Sequence, residues 1–100
     1  DEPAPETGMT MRYALICLDK PNALQTRVDN RAAHLAYIQE TGVVEQAGPF
    51  IDAAGQMCGS LLVLGAGSKA EAEAWAANDP YAKAGLFQSV MIQEWKRVIG

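Results

Sequence analysis

The sequence has few of the residues that form metal centres and no long apolar run. It contains one histidine and two cysteines among 100 residues, which is too few for a recognisable metal-binding cluster. No apolar stretch approaches the roughly 20 residues that a membrane-spanning helix needs. Lys and Arg total 8 and are scattered along the chain, so no basic surface for nucleic acid is indicated. We therefore predict no metal, no cofactor, no membrane span and no nucleic-acid partner.

The two cysteines also lack the spacing of a redox or metal motif. Cys17 and Cys58 each lie in an apolar, strand-like run, and no CxxC pattern is present. Reduced thiols in a protein core are the usual state of such residues inside the cell. The cysteines therefore predict a cytoplasmic protein without disulfides.

Composition indicates a single globular domain. One hundred residues suffice for one modest core, and 49% of them are apolar. The net charge is −4, but Asp1, Glu2 and Glu6 carry three of the negative charges. Residues 1–10 are rich in proline and polar side chains, so we expect a disordered or artificially added extension there. The folded domain is predicted to span residues 11–100.

The first two thirds of the chain contain three apolar, strand-like runs, with one helical segment between the first run and the second. The helix is predicted to begin at Asn22 and to end at Gly42, a residue type favoured just past a helix end. Gly48 and Pro49 are expected to end or bulge the second strand, and Gly59 lies inside the third. The three predicted strands cover Tyr13–Leu18, Val43–Ala47 and Met57–Leu64.

The last third begins with two helix signals and ends ambiguously. Ser68 and Glu71 form a capping-box pattern, which predicts a helix as far as Asn78. Asp79 and Pro80 then suit the N-cap and first position of a new short helix. The segment Leu86–Ile99 fits a helical stripe slightly better than a strand, although its β-branched and aromatic content suits either. If it is a strand, the order is βαββαβ, the ferredoxin-like pattern.

His34, the only histidine, marks the first candidate site. At about 100° per residue, one stripe of the predicted helix should face the core. Arg31 lies within that stripe, where an unpaired charge is unexpected, and His34 lies at its edge. A basic pair at the margin of a core face predicts a pocket. The stripe consists of Leu24, Val28, Arg31, Leu35 and Ile38.

Six short motifs, taken in order, resemble the YCII (YciI-like) family over residues 11–99. They are Arg31-Ala-Ala-His34-Leu35, Ala47-Gly48-Pro49, Gly59-Ser60, the Glu71–Trp75 helix, Asp79-Pro80-Tyr81 and Ala84-Gly85-Leu86. The resemblance implies that Leu86–Val98 is a strand. It also implies a ferredoxin-like α+β fold, a four-stranded antiparallel sheet with helices on one face, that dimerises through the open sheet faces as a dimeric α/β barrel. It further implies that His34 and Asp79 form an active-site pair.

The chemistry of these residue types suggests how such a site would work. An Asp79 carboxylate that accepts from one imidazole nitrogen fixes the tautomer and leaves the other nitrogen free to move a proton. Arg31 is a candidate to hold a substrate carboxylate or phenolate, and Ser60 to supply a hydroxyl. Tyr81 is a candidate substrate-binding residue, although an aromatic residue here is also typical of a core.

Three functions remain open from the sequence. The first is an enzyme that performs proton abstraction, isomerisation or elimination on a compact polar or cyclic molecule. The second is a ligand-binding or sensing module without turnover, and the third is an accessory subunit. The apolar residues of the predicted strands exceed what one sheet face needs, so we expect the open face to bind a second copy of the chain.

Overall fold

A computed structural model describes residues 11–100 of the protein. The prediction for residues 1–10 lies outside the described residues. Within the described part, the elements in chain order are β1 Met11–Asp19, α1 Leu24–Asp29, α2 Arg31–Thr41, β2 Val44–Ile51, β3 Met57–Ala66, α3 Lys69–Ala77, α4 Pro80–Lys83 and β4 Phe87–Trp95. None of the helices described in this range is long and apolar enough to cross a bilayer.

The four strands form one antiparallel sheet in the order β2-β3-β1-β4. β1 lies in the middle, where Tyr13 is opposite Leu64 of β3 and Glu94 of β4. Helices follow β1 and β3, and β2 leads directly into β3, so the chain has the order βαββαβ with its first and third strands in the centre of the sheet. The predicted ferredoxin-like α+β fold is therefore confirmed.

The core lies between one face of this sheet and the helices. Because successive side chains of a strand point to opposite faces, β1 buries Tyr13, Leu15 and Cys17 on the same side. Trp75 of α3 packs on this layer. Its indole Nε1 donates to Oγ1 of Thr41 at 2.9 Å, which ties α3 to the end of α2. Both long helices therefore cover the same face.

The opposite face carries several apolar side chains that no residue from 11 to 100 fully covers. Four of them remain between about one third and three fifths exposed. They are Leu18 at 48%, Leu61 at 39%, Met91 at 57% and Trp95 at 38%. We call these four residues the open face. An uncovered apolar surface of this kind usually marks an interaction site.

The predicted single helix from Asn22 to Thr41 is wrong, because the chain breaks it at Asn30. Asn30 has φ −108° and ψ 6°, which departs from helical geometry, and its side-chain Nδ2 donates to the carbonyl of Thr26 at 2.9 Å. Asn30 is therefore both the C-cap of α1 and the N-cap of α2. The predicted core stripe is also wrong, since Val28 is 50% and Leu35 is 44% exposed.

Two strands differ from what local sequence pattern predicted. β2 does not end at Gly48 and Pro49 but continues to Ile51. It is an edge strand that pairs only with β3, and an edge strand tolerates proline because one side of its backbone needs no ladder partner. The segment after Leu86 is strand β4, so its helical periodicity was misleading and the strand implied by the resemblance is confirmed.

The capping signals of the last third are realised in the structure. The Oγ of Ser68 accepts from the backbone N–H of Glu71 at 3.2 Å, and the Glu71 carboxylate accepts from the N–H of Gly67 at 2.9 Å. α4 is only Pro80–Lys83, and the chain leaves it through Gly85, whose φ is +73°. This short helix matters because Asp79, its N-cap, enters the site.

Candidate functional site

The structure brings His34 and Asp79 together although 45 positions separate them in the chain. Nδ1 of His34 lies 2.8 Å from Oδ1 of Asp79, and both side chains are buried. α2 supplies the imidazole, and the turn between α3 and α4 supplies the carboxylate. Because an ionised carboxylate only accepts hydrogen bonds, Nδ1 carries the proton. Nε2 is then left free to accept one.

The same Asp79 oxygen has a second task. Oδ1 also accepts from the backbone N–H of Tyr81 at 3.0 Å, which is the cap of α4. The ring of Tyr81 stacks on the His34 imidazole with 4.0 Å between centroids and 16° between planes. The imidazole is therefore held at its edge by a carboxylate and on one face by an aromatic ring.

A second buried pair, between Arg27 and Asp19, was not predicted from the sequence. Nε of Arg27 donates to Oδ2 of Asp19 at 2.7 Å, and Nη2 donates to Oδ1 at 2.8 Å. Nη2 also donates to the Oγ of Ser60 at 2.9 Å. The guanidinium carbon lies 4.8 Å from the centroid of the Tyr81 ring. The buried charge of the helical segment is therefore Arg27 and not Arg31, which is exposed.

The sequence did contain a signal for Arg27. His34 follows Arg27 by seven residues, which is about two helical turns and places both on one face of a helix. The predicted stripe that begins at Leu24 does not include Arg27. The apolar and alanine residues of the segment fit several helical stripes, so they did not favour the correct one. The spacing of Arg27 and His34 therefore indicates the buried face.

Burial sets the ionisation of two further groups near the pair. It raises the pKa of the Cys17 thiol to about 12, and the negative charge of Asp79 acts in the same direction. Burial also raises the pKa of Tyr81, although the charge of Arg27 opposes this. Both groups therefore stay neutral near pH 7, and neither supplies a charged nucleophile to the site.

A cavity of about 140 Å³ lies between α1, α2 and strands β2 and β3. Engineered apolar cavities of about 150 Å³ accept a benzene ring, so this volume suits one six-membered ring. Asp79 is not in the cavity wall but behind His34. The wall is formed by Arg27, Arg31, His34, Leu35, Ile38, Ala47, Gly48, Pro49, Met57, Ser60, Leu62 and Tyr81.

The residues predicted for the site thus take different places. His34, Ser60 and Tyr81 are buried parts of the cavity wall. Arg31 lines the cavity as well, but as an exposed residue rather than as a charge inside the core. Among residues 11–100, no three His, Cys, Asp or Glu side chains lie close enough to hold a metal ion together.

Relatives of the chain point to one family. The model of the YCII-related domain matches residues 11–96. Protein YciI of Escherichia coli O6:H1 is 34% identical over 97 residues, which cover 88% of this chain and 99% of that protein. An uncharacterized protein of Haemophilus influenzae is 31% identical with the same coverage.

Solved structures include one protein with a similar sequence and fold, and others that share the fold alone. The 5-chloro-2-hydroxyhydroquinone dehydrochlorinase of Burkholderia phenoliruptrix AC1100, in complex with 2,5-dihydroxybenzoquinone, superposes with a TM-score of 0.80. It is 37% identical, and the match covers 86% of this chain and 94% of that one. PA3566 of Pseudomonas aeruginosa, with a TM-score of 0.59 and 12% identity over 95% of this chain and all of that one, shares the fold alone. Sequence, fold and relatives together show that this chain belongs to the YCII-related domain family.

Proposed function

We propose that this protein is an enzyme that moves protons on a small cyclic substrate, with His34 as the acid/base group. The observation that carries the proposal is the buried contact of 2.8 Å between His34 and Asp79 beside a cavity that His34 lines. Asp79 orients the imidazole and stabilises its protonated form, so Nε2 can take and return a proton. Asp79 itself is a positioning residue because it does not line the cavity.

The substrate class that we propose is a hydroxylated six-membered ring. The cavity volume suits one ring, and the buried Tyr81 forms part of its wall. The dehydrochlorinase that is 37% identical to this chain was solved with 2,5-dihydroxybenzoquinone. A ring that carries oxygen atoms would therefore find both apolar walls and polar groups here.

On such a ring, His34 would support either elimination or isomerisation. In an elimination, His34 takes the proton of a ring hydroxyl, and the electron pair moves into the ring. A proton is returned to the ring carbon that carries the halogen, the halide leaves with its bonding pair, and a second hydroxyl proton is lost to solvent. The net change is the loss of one HX without an external oxidant. In an isomerisation, His34 takes the hydroxyl proton and returns it to a ring carbon. A C=C bond of the ring is thereby replaced by a C=O bond.

We also propose that the protein works as a homodimer. The open face of Leu18, Leu61, Met91 and Trp95 is apolar and exposed in the described part of the single chain. A second copy would cover it with the same face, as closed two-fold assemblies do. The cavity lies on the helix-covered side of the sheet, so this contact leaves the site accessible.

An anaerobic turnover assay tests the function. The protein is incubated with 5-chloro-2-hydroxyhydroquinone, and released chloride and the quinone product are measured. We expect His34→Gln to lower the rate by about 10²-fold or more, because general acid/base catalysis typically contributes this much. Asp79→Asn should lower it by about 10- to 100-fold, since it keeps the cap but changes the partner of the imidazole.

Gln39→Ala, an exposed change on α2 away from the cavity, is the control and should match the wild type. Circular dichroism and the unfolding midpoint establish that each variant is folded. Chloride release by His34→Gln at the wild-type rate would contradict the assignment of His34. Tight binding of 2,5-dihydroxybenzoquinone with no turnover of the chlorinated ring or of other hydroxylated rings would instead favour a ligand-binding module.

A further inference from the structure

We infer that Ser60 donates the hydrogen bond that holds a substrate oxygen, and that the Arg27–Asp19 pair is the positioning device that aims its hydroxyl. The inference rests on the proposed function only for the identity of the ring. Its structural basis is the buried chain of hydrogen bonds from Asp19 through Arg27 to Ser60, which ends at the cavity wall.

The hydroxyl of Ser60 has a donor but no acceptor within the fold. Its Oγ accepts from Nη2 of Arg27 at 2.9 Å. Over residues 11–100, no oxygen atom accepts the Ser60 hydroxyl hydrogen. Ser60 is only 3% exposed, and buried polar hydrogens normally have a partner. Because Ser60 lines the cavity, a ligand there is the acceptor that completes the arrangement.

Arg27 contributes to this bond through Nη2, the nitrogen that donates to the Oγ of Ser60. Asp19 engages both its Nε and its Nη2, and the Tyr81 ring lies beside its guanidinium carbon. This fixes the guanidinium and largely neutralises its charge. A cationic donor to Oγ polarises the hydroxyl and makes it a stronger donor to the next oxygen. Arg27 therefore acts on the ligand through Ser60.

The chemistry of this subsite selects the ligand. A hydroxyl whose lone pair is engaged by a guanidinium offers its hydrogen, so it takes a carbonyl or phenolate oxygen and not an ammonium group. The nearby positive charge of Arg31 acts in the same direction. A ring with at least two oxygen substituents would place one at Ser60 and present another for proton transfer at His34.

Binding titrations of 2,5-dihydroxybenzoquinone to the full chain test the inference. Ser60→Ala should weaken the Kd at least about tenfold, because a polarised donor is lost. Ser60→Thr keeps the hydroxyl and should stay within about threefold of the wild type, allowing for its extra methyl group. In an Arg27→Lys background, Ser60→Ala should cost less than about threefold, since the polarising contact is weakened. Asp19→Asn is expected to give the same reduction and replaces Arg27→Lys if that variant does not fold.

The outcomes separate this inference from the proposed function. Binding that depends on Ser60 without any turnover would support the subsite while overturning the enzymatic proposal. Turnover by Ser60→Ala with unchanged Kd and KM would overturn the subsite and leave His34 in its role. Equal penalties for Ser60→Ala in the wild-type and Arg27→Lys backgrounds would show that Arg27 is structural only. Absence of binding by the wild type would overturn both proposals.

Discussion

The two faces of the sheet are built from similar side chains but have different surroundings. Leu62 is completely buried under the helices, while its neighbour Leu61 on the opposite face is 39% exposed. Ser60, one further residue along, is again on the covered side and enters the site. The covered face therefore carries the main core and the cavity, while the open face carries exposed apolar side chains. The proposed association and the proposed catalysis would use opposite sides of one sheet.

Replacing the two tryptophans should give the largest difference in the free energy of unfolding between the two faces. Trp75 is 8% exposed in the covered layer, and Trp95 is 38% exposed on the open face. Trp75→Ala should lower the free energy of unfolding by about 3–5 kcal/mol, because it leaves a large cavity. Trp95→Ala should cost less than about 1 kcal/mol in the monomer. Urea unfolding at low protein concentration measures both, and equal losses would show that the faces do not differ as described.

A charge on the open face should break assembly without breaking the fold. We expect the wild type to sediment at twice the 10.7 kDa of one chain. Met91→Glu, on the open face, should weaken the dimer at least about tenfold, because a buried unpaired charge costs more than 1.4 kcal/mol. Ala70→Glu, on the exposed surface of α3, is the matched control and should remain dimeric. A wild type that sediments as a monomer at micromolar concentration would remove the role proposed for the open face.

A more gradual effect is expected with pH, and it arises from the covered face. The pKa of the Cys17 thiol is raised from 9.0 to about 12 by burial. The unfolded chain therefore loses this proton at a lower pH than the folded chain does. As pH rises from about 9 toward 12, stability should fall by up to about 1.4 kcal/mol per pH unit from this group.

Denaturant titrations between pH 8 and about 10.5 test this contribution. Cys17→Ala should show a shallower fall of stability with pH than the wild type. Leu15→Val, which lies in the same layer but removes no titrating group, should keep the wild-type slope while losing about 1 kcal/mol at every pH. A Cys17→Ala slope equal to that of the wild type would mean that the thiol is not protected in the folded state.

The sequence predicted those parts of the fold that depend on local signals. The Ser68 and Asp79 caps are decided within a few residues, and both appear in the structure. The break at Asn30 was missed because asparagine is tolerated in helices, and its bonds to Thr26 compete with helix continuation only slightly. The strand after Leu86 was ambiguous because pairing with β1, a distant segment, decides its conformation.

The site also contains one pair of residues that the sequence predicted and one that it did not. The closeness of His34 and Asp79 was predictable, because each flanks the inner side of an element that covers one sheet face. The Arg27–Asp19 pair was not predicted, since a bidentate contact depends on the angle at which α1 meets the end of β1. Spacing along a sequence carries no information about that angle. Helical spacing can indicate that Arg27 lies on the same face as His34, but the partner that pairs with its charge is decided by the tertiary structure.

The double use of one Asp79 oxygen has an evolutionary consequence. Oδ1 serves both the imidazole of His34 and the first turn of α4. Selection for the fold alone is therefore enough to retain an acceptor at position 79, because the cap contributes about 1 kcal/mol whether or not the protein is active. Descendants that lose the reaction should lose His34 first and keep Asp79. Among homologues, the imidazole and not the aspartate should report whether the chemistry survives.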